Sequence, residues 1–244
     1  MSTARRDPEV VLVTGGIRGL GLASARRLQA AGARVHLVWR SSHDDARRLE
    51  PEFPGRIHRA DLARPEDARA LLERVLAQDK GLDRLVHAVG EYVSGDLEHA
   101  GVEAARAMWR SNVETSIAVF DAARPALRAA RGAAVFFGCA GLEGLRARRE
   151  TAVYAAAKSA LVVLARSWAL EEARHQVRVN VVSPGLVPHA DAAGDTLDPG
   201  RQARIPFGRA GSPAEIAEAV AFLCSDAARY TTGADLPVAG GWML

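Results

Sequence analysis

Thr14-Gly15-Gly16-Ile17-Arg18-Gly19-Leu20-Gly21 joins a short apolar run, Val10–Thr14, to a helical stretch expected over residues 20–31. Glycine at positions 15, 16, 19 and 21 lets the backbone turn sharply and approach a pyrophosphate closely. The helix that follows would offer free N–H groups and the positive end of its dipole. A plain strand-to-helix turn can use the same glycines. What points to phosphate is the context, the first strand–helix junction of an alternating chain. The spacing is Gly-x-x-x-Gly-x-Gly rather than the usual dinucleotide spacing Gly-x-Gly-x-x-Gly.

Working outward, short β-branched runs alternate with longer Ala-rich stretches. Strands are expected at 34–39, 56–60, 82–89, 133–138, 177–182 and 234–238. Helices are expected at 65–78, 104–130, 151–173 and 213–224, with Pro125 kinking or dividing the second. The strands are nearly all apolar, the pattern of strands buried on both faces. The alternation predicts an α/β protein: a single-domain Rossmann-like doubly wound fold, a seven-stranded mostly parallel sheet with helices on both faces. One domain is expected over 1–244, with 1–9 a flexible N-terminus too short and polar for a signal peptide. The irregular segments 139–150 and 183–211 each follow a strand, so both should border the ligand site.

The composition excludes several classes. The 244 residues carry a net charge of +3, with 48% hydrophobic and 25% charged residues. That is neither a disordered chain, a collagen nor a small disulfide scaffold. All but two of the 32 basic residues are arginine, the exceptions being Lys80 and Lys158. The arginines are interleaved with acids and no basic tail occurs, so no nucleic-acid partner is expected. No membrane span is expected either, because no apolar run approaches about 18 residues. Cys139 and Cys224 lack metal-type spacing, which fits a reducing, cytoplasmic compartment and no metal site.

Two further features carry chemistry. The second strand ends Trp39-Arg40-Ser41-Ser42, with no acid before Asp44. A ribose-binding carboxylate is therefore missing where an NAD site would hold one, and Arg40, with Arg18, suits a 2′-phosphate. NADPH is the expected cofactor, against the plainer reading of solvated strand-end arginines. Tyr154-Ala155-Ala156-Ala157-Lys158 places a phenol and an ammonium on one helix face. An ammonium there should lower the phenol's pKa and make it a usable proton donor or acceptor. An ordinary amphipathic helix carrying both residues is the alternative.

With these residues in place, the chain resembles the short-chain dehydrogenase/reductase superfamily from Val10 onward. Besides the glycine loop and the Tyr154–Lys158 pair, Asp61-Leu62 matches an adenine-binding Asp and Arg110-Ser111-Asn112-Val113 the catalytic asparagine segment. Asn180 to Gly185 matches the segment flanking the nicotinamide, and Val238-Ala239-Gly240-Gly241 the C-terminal motif. Residues 205–217 resemble bacterial 3-oxoacyl-(acyl-carrier-protein) reductases most. The resemblance implies catalytic roles for Tyr154, Lys158, Asn112 and Cys139. It implies cofactor contacts at Gly15, Ile17, Arg18, Gly19, Leu20, Gly21, Arg40, Ser41, Asp61, Leu62, Ala88, Gly90, Tyr154, Lys158, Pro184, Gly185 and Val187.

The sequence departs from the family pattern at three places. Cys139 stands where a serine that bonds the substrate carbonyl is expected, and a thiol is a weak donor. The loop after it is about two residues longer than in close relatives, and Thr151 is a candidate substitute donor. His87-Ala88-Val89-Gly90 replaces Asn-Asn-Ala-Gly, His87 being read as a hydrogen-bonding strand residue. His189 replaces a threonine that touches the carboxamide. The resemblance thus implies an NADPH-dependent carbonyl reductase acting on a small-molecule or acyl-thioester substrate. The alternative is a weakly active or inactive NADPH-binding subunit or regulator in a hetero-oligomer. A homotetramer is expected, with the apolar Trp242-Met243-Leu244 end as a candidate interface. Acyl carrier protein would dock on Arg128, Arg131 and Arg174, which are expected near the active end of the sheet. Acidic residues at 191, 195 and 198 and arginines at 146, 148 and 149 should flank the cleft mouth.

Overall fold

The computed structural model describes residues 8–144, 146–188 and 199–243. Seven strands form one sheet: β1 (Val10–Thr14), β2 (Arg34–Trp39), β3 (Ile57–Arg59), β4 (Arg84–His87), β5 (Ala133–Phe137), β6 (Arg178–Pro184) and β7 (Asp235–Val238). Their order is β3-β2-β1-β4-β5-β6-β7, and every pair is parallel. The expected fold class therefore stands, with a wholly parallel sheet.

The nearly continuous apolar runs follow from cover on both faces. In β1 the side chains alternate: Val10 and Leu12 enter one core, Val11 and Val13 the other. The first core also takes Leu71 from α3 (Pro65–Asp79), Phe120 from α5 (Thr115–Ala130) and Trp168 from α6 (Ala152–Glu172). Phe120, Trp168 and Phe136 stack there, with ring centroids 4.6 and 5.2 Å from Trp168. The opposite core takes Leu28 from α1 (Gly19–Ala30) and Ile216 and Val220 from α8 (Pro213–Cys224).

Three expectations are corrected here. The long helix predicted over 104–130 is two helices, α4 (Leu97–Trp109) and α5, joined through a π-helical turn, Arg110–Glu114. The break lies at that turn, and Pro125 sits inside α5. A π turn is a register change in backbone bonding, which hydrophobic periodicity does not report. Second, α6 with its continuation to His175 is long and apolar enough, by length and composition, to cross a membrane. Alanine-rich composition produces that, and its stripe Leu161, Ala165 and Trp168 is buried against the sheet. Third, the sequence reading lacked a helix α2 over His43–Leu49.

Two buried polar clusters tie the far parts of the sheet together. The Arg84 guanidinium, 2% exposed, donates to the carbonyls of Cys224 (2.6 Å) and Asp83 (2.9 Å) and pairs with Glu9. Arg178 donates to Leu223 (2.6 Å) and Ser225 (3.2 Å) carbonyls. Together these forks satisfy the open carbonyls at the C-terminal end of α8 and complement its dipole. On the other side, His36 Nε2 donates to Asp79 (2.8 Å), which also pairs with Arg34 and Arg56. His36 Nδ1 must then accept from His58 Nε2 at 2.9 Å, so both rings are neutral. Burial holds His36 below the ordinary histidine range despite Asp79, and burial with the neighbouring His36 and Arg74 takes His58 to about 4.

A histidine depressed in the folded state binds more protons once unfolded. Its stabilising share is complete above the unfolded value, 6.5, and drains as pH falls toward about 4. Thermal unfolding followed by circular dichroism should show Tm falling between those limits. His58→Gln keeps the donor and cannot titrate, so it should flatten that fall. An unchanged slope would remove His58 as its cause.

Candidate active site

The carboxyl ends of β1, β2, β4, β5 and β6 open into one cleft of about 2200 Å³. It lies where the strand order steps outward in both directions from β1 and β4, the position at which open parallel sheets bind ligands. Both irregular segments noted in the sequence border it.

At one end the glycine turn is pinned, with the N–H groups of Gly15 and Gly16 donating to the Val38 carbonyl at 3.1 and 3.3 Å. Gly15 adopts φ +68°, and a Cβ on Gly21 would stand 2.2 Å from the Gly15 carbonyl oxygen. No side chain caps α1 and no acid occupies its first turn, so its first N–H groups remain uncommitted. Arg18 and Arg40 are exposed on the rim, Arg40 holding only a loose contact with Glu91 at 3.4 Å. Asp61 shapes the next turn by accepting from the Ala63 N–H at 3.2 Å. Every residue expected to contact the nucleotide borders the cleft, so a bare, N–H-lined turn faced by two arginines fits a phosphate-bearing dinucleotide.

At the other end Lys158 is 5% exposed, and its Nζ donates to the Phe137 carbonyl at 2.7 Å. Burial lowers its pKa to about 8. Its ammonium lies 5.7 Å from the centre of the Tyr154 ring, and Tyr92 meets that ring edge-on at 5.0 Å. The expected lowering of the Tyr154 pKa is not found. Burial pushes it up, with Cys139 and Tyr92 adding to that; the ammonium donates to the Phe137 carbonyl. The phenol is consequently held in its protonated form. Cys139 lies at the same end, its thiol raised by burial against the opposing pull of Lys158 and Arg148.

Asn112 does not line the cleft. It sits fully buried in the π turn behind Gly90, where a Cβ on Gly90 would be 2.3 Å from Asn112 Oδ1. Its Nδ2 donates to the carbonyls of Met108 and Glu91, both at 3.1 Å, and Oδ1 is buried without a partner. Its main-chain carbonyl accepts from Ser116 Oγ at 2.8 Å. His87 fits the structural reading. Thr115 Oγ1 donates to the Ser111 carbonyl, so His87 Nε2 donates to Thr115 and Nδ1 accepts from Thr14 at 2.7 Å. Burial and Lys158 take His87 to about 3.

Thr151 borders the cleft, as does Trp242, whose ring carries the Arg204 guanidinium 5.0 Å from its centre. The C-terminal end thus belongs partly to the cleft, as Met243 does. Tyr92 and Arg204 were absent from the sequence reading, since they sit outside any motif. Arg128, Arg131 and Arg174 are corrected: they lie at the ends of α5 and α6 that lead into β5 and β6, away from the cleft. Arg128 is bound twice to buried Glu172 at 2.7 Å. His189, Asp191, Asp195, Asp198 and Leu244 lie outside the described residues.

A family model described as "Enoyl-(Acyl carrier protein) reductase" matches residues 15–243. An L-fucose dehydrogenase of Mus musculus is 33% identical over 98% of this chain and 90% of its own length. The 3-oxoacyl-(acyl-carrier-protein) reductase FabG of Escherichia coli (strain K12) is 32% identical, covering 98% of each chain. Among solved structures, a blue fluorescent protein from a metagenomic library in complex with NADPH superposes with a TM-score of 0.90. It is 30% identical and covers 98% of this chain and 99% of its own.

Gly21→Ala tests the turn. Its Cβ would drive the Gly15 carbonyl away, costing about 2 kcal/mol of stability by overpacking. Tm should fall and NADPH affinity, read by fluorescence titration, should weaken sharply. Unchanged affinity would separate the turn from nucleotide binding.

Proposed function

The chain belongs to the short-chain dehydrogenase/reductase family, and from that premise we propose that it reduces a ketone, free or as a 3-oxoacyl thioester, to the secondary alcohol with NADPH. It is an oxidoreductase that uses a nicotinamide cofactor. The observation that carries the finer reading is Tyr154 beside buried Lys158 in the same cleft as the glycine turn. When bound, NADPH supplies the hydride that reaches the carbonyl carbon.

The remaining chemistry belongs to the chain. Tyr154 holds a proton at Oη in the neutral range and gives it to the carbonyl oxygen as charge develops there. Lys158 keeps a positive charge beside the phenolate this leaves, and lysine's compact ammonium fits a space closed by Phe137 and Gly90. Gly90 has no side chain, which leaves room for Asn112 Oδ1 and Lys158 Nζ against its backbone. Arg18 and Arg40 support NADPH over NADH, because a dianionic 2′-phosphate suits guanidinium forks and no carboxylate takes the ribose position at the end of β2. Exposed Val163 and Leu170 on α6 support assembly as a homotetramer. The Cys139 thiol favours the second reading, a weakly active NADPH-binding subunit, since it orients a carbonyl poorly.

Steady-state NADPH oxidation with acetoacetyl thioesters and a panel of ketones should show turnover. Tyr154→Phe should cut kcat roughly 100-fold or more while NADPH still binds. The rate should fall as pH rises through about 8, where Lys158 loses its ammonium. Tight NADPH binding with no turnover on any ketone would favour the subunit reading. Separately, replacing Arg18 and Arg40 together by alanine should raise the KM for NADPH roughly 10- to 100-fold with little change for NADH, the loss expected of charge-assisted bonds. Equal losses for both cofactors would overturn the 2′-phosphate assignment.

A further inference from the structure

The loop after β5 carries an arginine whose placement the mechanism above leaves unused. Arg148 lines the cleft and is partly buried. One of its terminal nitrogens, Nη2, donates to the carbonyls of Ala140 (3.3 Å) and Gly141, the two residues directly after Cys139. The guanidinium is thereby held within a short reach of the thiol, close enough that its charge lowers the thiol's pKa. Among the described residues no carboxylate pairs with Arg148, and its Nε and Nη1 have no protein partner. Two other arginines of the cleft are paired: Arg201 faces Glu150 at 3.4 Å, and Arg106 bonds Glu103 at 2.8 Å.

The loop itself is braced. Arg146 donates to the Met243 carbonyl at 3.2 Å, and the Gly95 N–H donates to the Glu150 carbonyl at 2.7 Å. The arginine between them is therefore presented by a fixed segment. Nη2 belongs to both forks of a guanidinium and is spent here, so Nε and Nη1 are left as separate donors, each able to give a carboxylate one charge-assisted bond. The guanidinium stands beside a residue whose thiol gives little directional hold on a carbonyl oxygen. An anchor on the substrate's far group would restore the orientation that the thiol lacks.

We propose that Arg148 is a substrate-binding residue and that the substrate is a short oxo acid, whose carboxylate lies on this guanidinium while its ketone faces Tyr154. The inference rests on the carbonyl-reductase reading and narrows its substrate class. The reaction balances as oxo acid plus NADPH plus a proton giving hydroxy acid plus NADP+. The hydride goes to the ketone carbon and the Tyr154 proton to its oxygen, and the carboxylate is unchanged.

The test compares 2-oxo and 3-oxo acids of graded chain length with their methyl esters and with neutral ketones, at saturating NADPH. The acids should have the higher kcat/KM. Arg148→Gln should raise KM for the acids roughly 10- to 100-fold, the loss of a charge-assisted bond, and leave the esters within about twofold. Arg148→Lys, which keeps the positive charge, should recover part of that loss. Tm and NADPH titration of each variant report folding and cofactor binding independently. Neutral ketones or esters turned over as well as the acids, or acids and esters losing equally in Arg148→Gln, would overturn the inference and leave the reductase reading intact. No turnover of any acid, ester or ketone by an enzyme that binds NADPH would sink both.

Discussion

A cation buried without a counter-ion governs this molecule. Lys158 is almost wholly removed from water, and among the described residues no carboxylate pairs with it. Such a group is costly unless something polar faces it. The Phe137 carbonyl does so, which fixes the end of β5 against α6. Burial, helped by the same charge, keeps His87 neutral in β4, and that neutrality lets the ring link Thr14 in β1 to Thr115 in α5. Gly90 must lack a side chain because a Cβ would crowd both Nζ, at 3.3 Å, and Asn112. Three strands, two helices and the π turn are thus arranged around one ammonium.

How much of this was legible in the sequence depends on which force set each feature. The strands were readable because burial on two faces leaves a continuous apolar run, as Val10–Thr14 shows. Helix α8 was expected at its observed bounds, and its start is fixed by a capping box of Ser212 and Glu215 that spans Pro213. The nucleotide turn was readable because its glycines are demanded by contacts within a few residues, as with Gly21 against Gly15. The π turn was not, since the extra residue changes backbone register and leaves composition untouched. Nor was the tyrosine's ionisation. The i,i+4 spacing correctly put Tyr154 and Lys158 on one face, but burial reversed the sign of the shift. Arg128 was misplaced because its neighbourhood depends on helix direction relative to the strands, and a charge alone does not reveal that.

The unusual preference for arginine also acquires a physical content. Arg84 and Arg178 each reach two or more acceptors at the end of α8, a task for a planar fork with several donors. Arg128 does the same across Glu172, holding that buried carboxyl below its ordinary range. Of the two lysines, Lys80 is exposed at the end of α3, and Lys158 stands where a single compact charge must fit between a carbonyl, a glycine and a ring. Arginine supplies reach and multiplicity in this chain, and at position 158 lysine fills a confined space.

The strand order has a consequence for how the chain is made. β1 is made before the other six strands of this sheet, yet it lies between β2 and β4. The Val10 N–H is satisfied by Asp83, a residue 73 positions later. Until β4 emerges, the apolar side chains of one edge of β1 and its open backbone groups have no partner in the sheet. Parallel pairing between such distant segments is slow because a long loop must close before any contact rewards it. The nascent segment ahead of β4 is therefore exposed to wrong pairing, and the arrival of Asp83 and Arg84 is the moment at which β1 gains its second neighbour in the sheet.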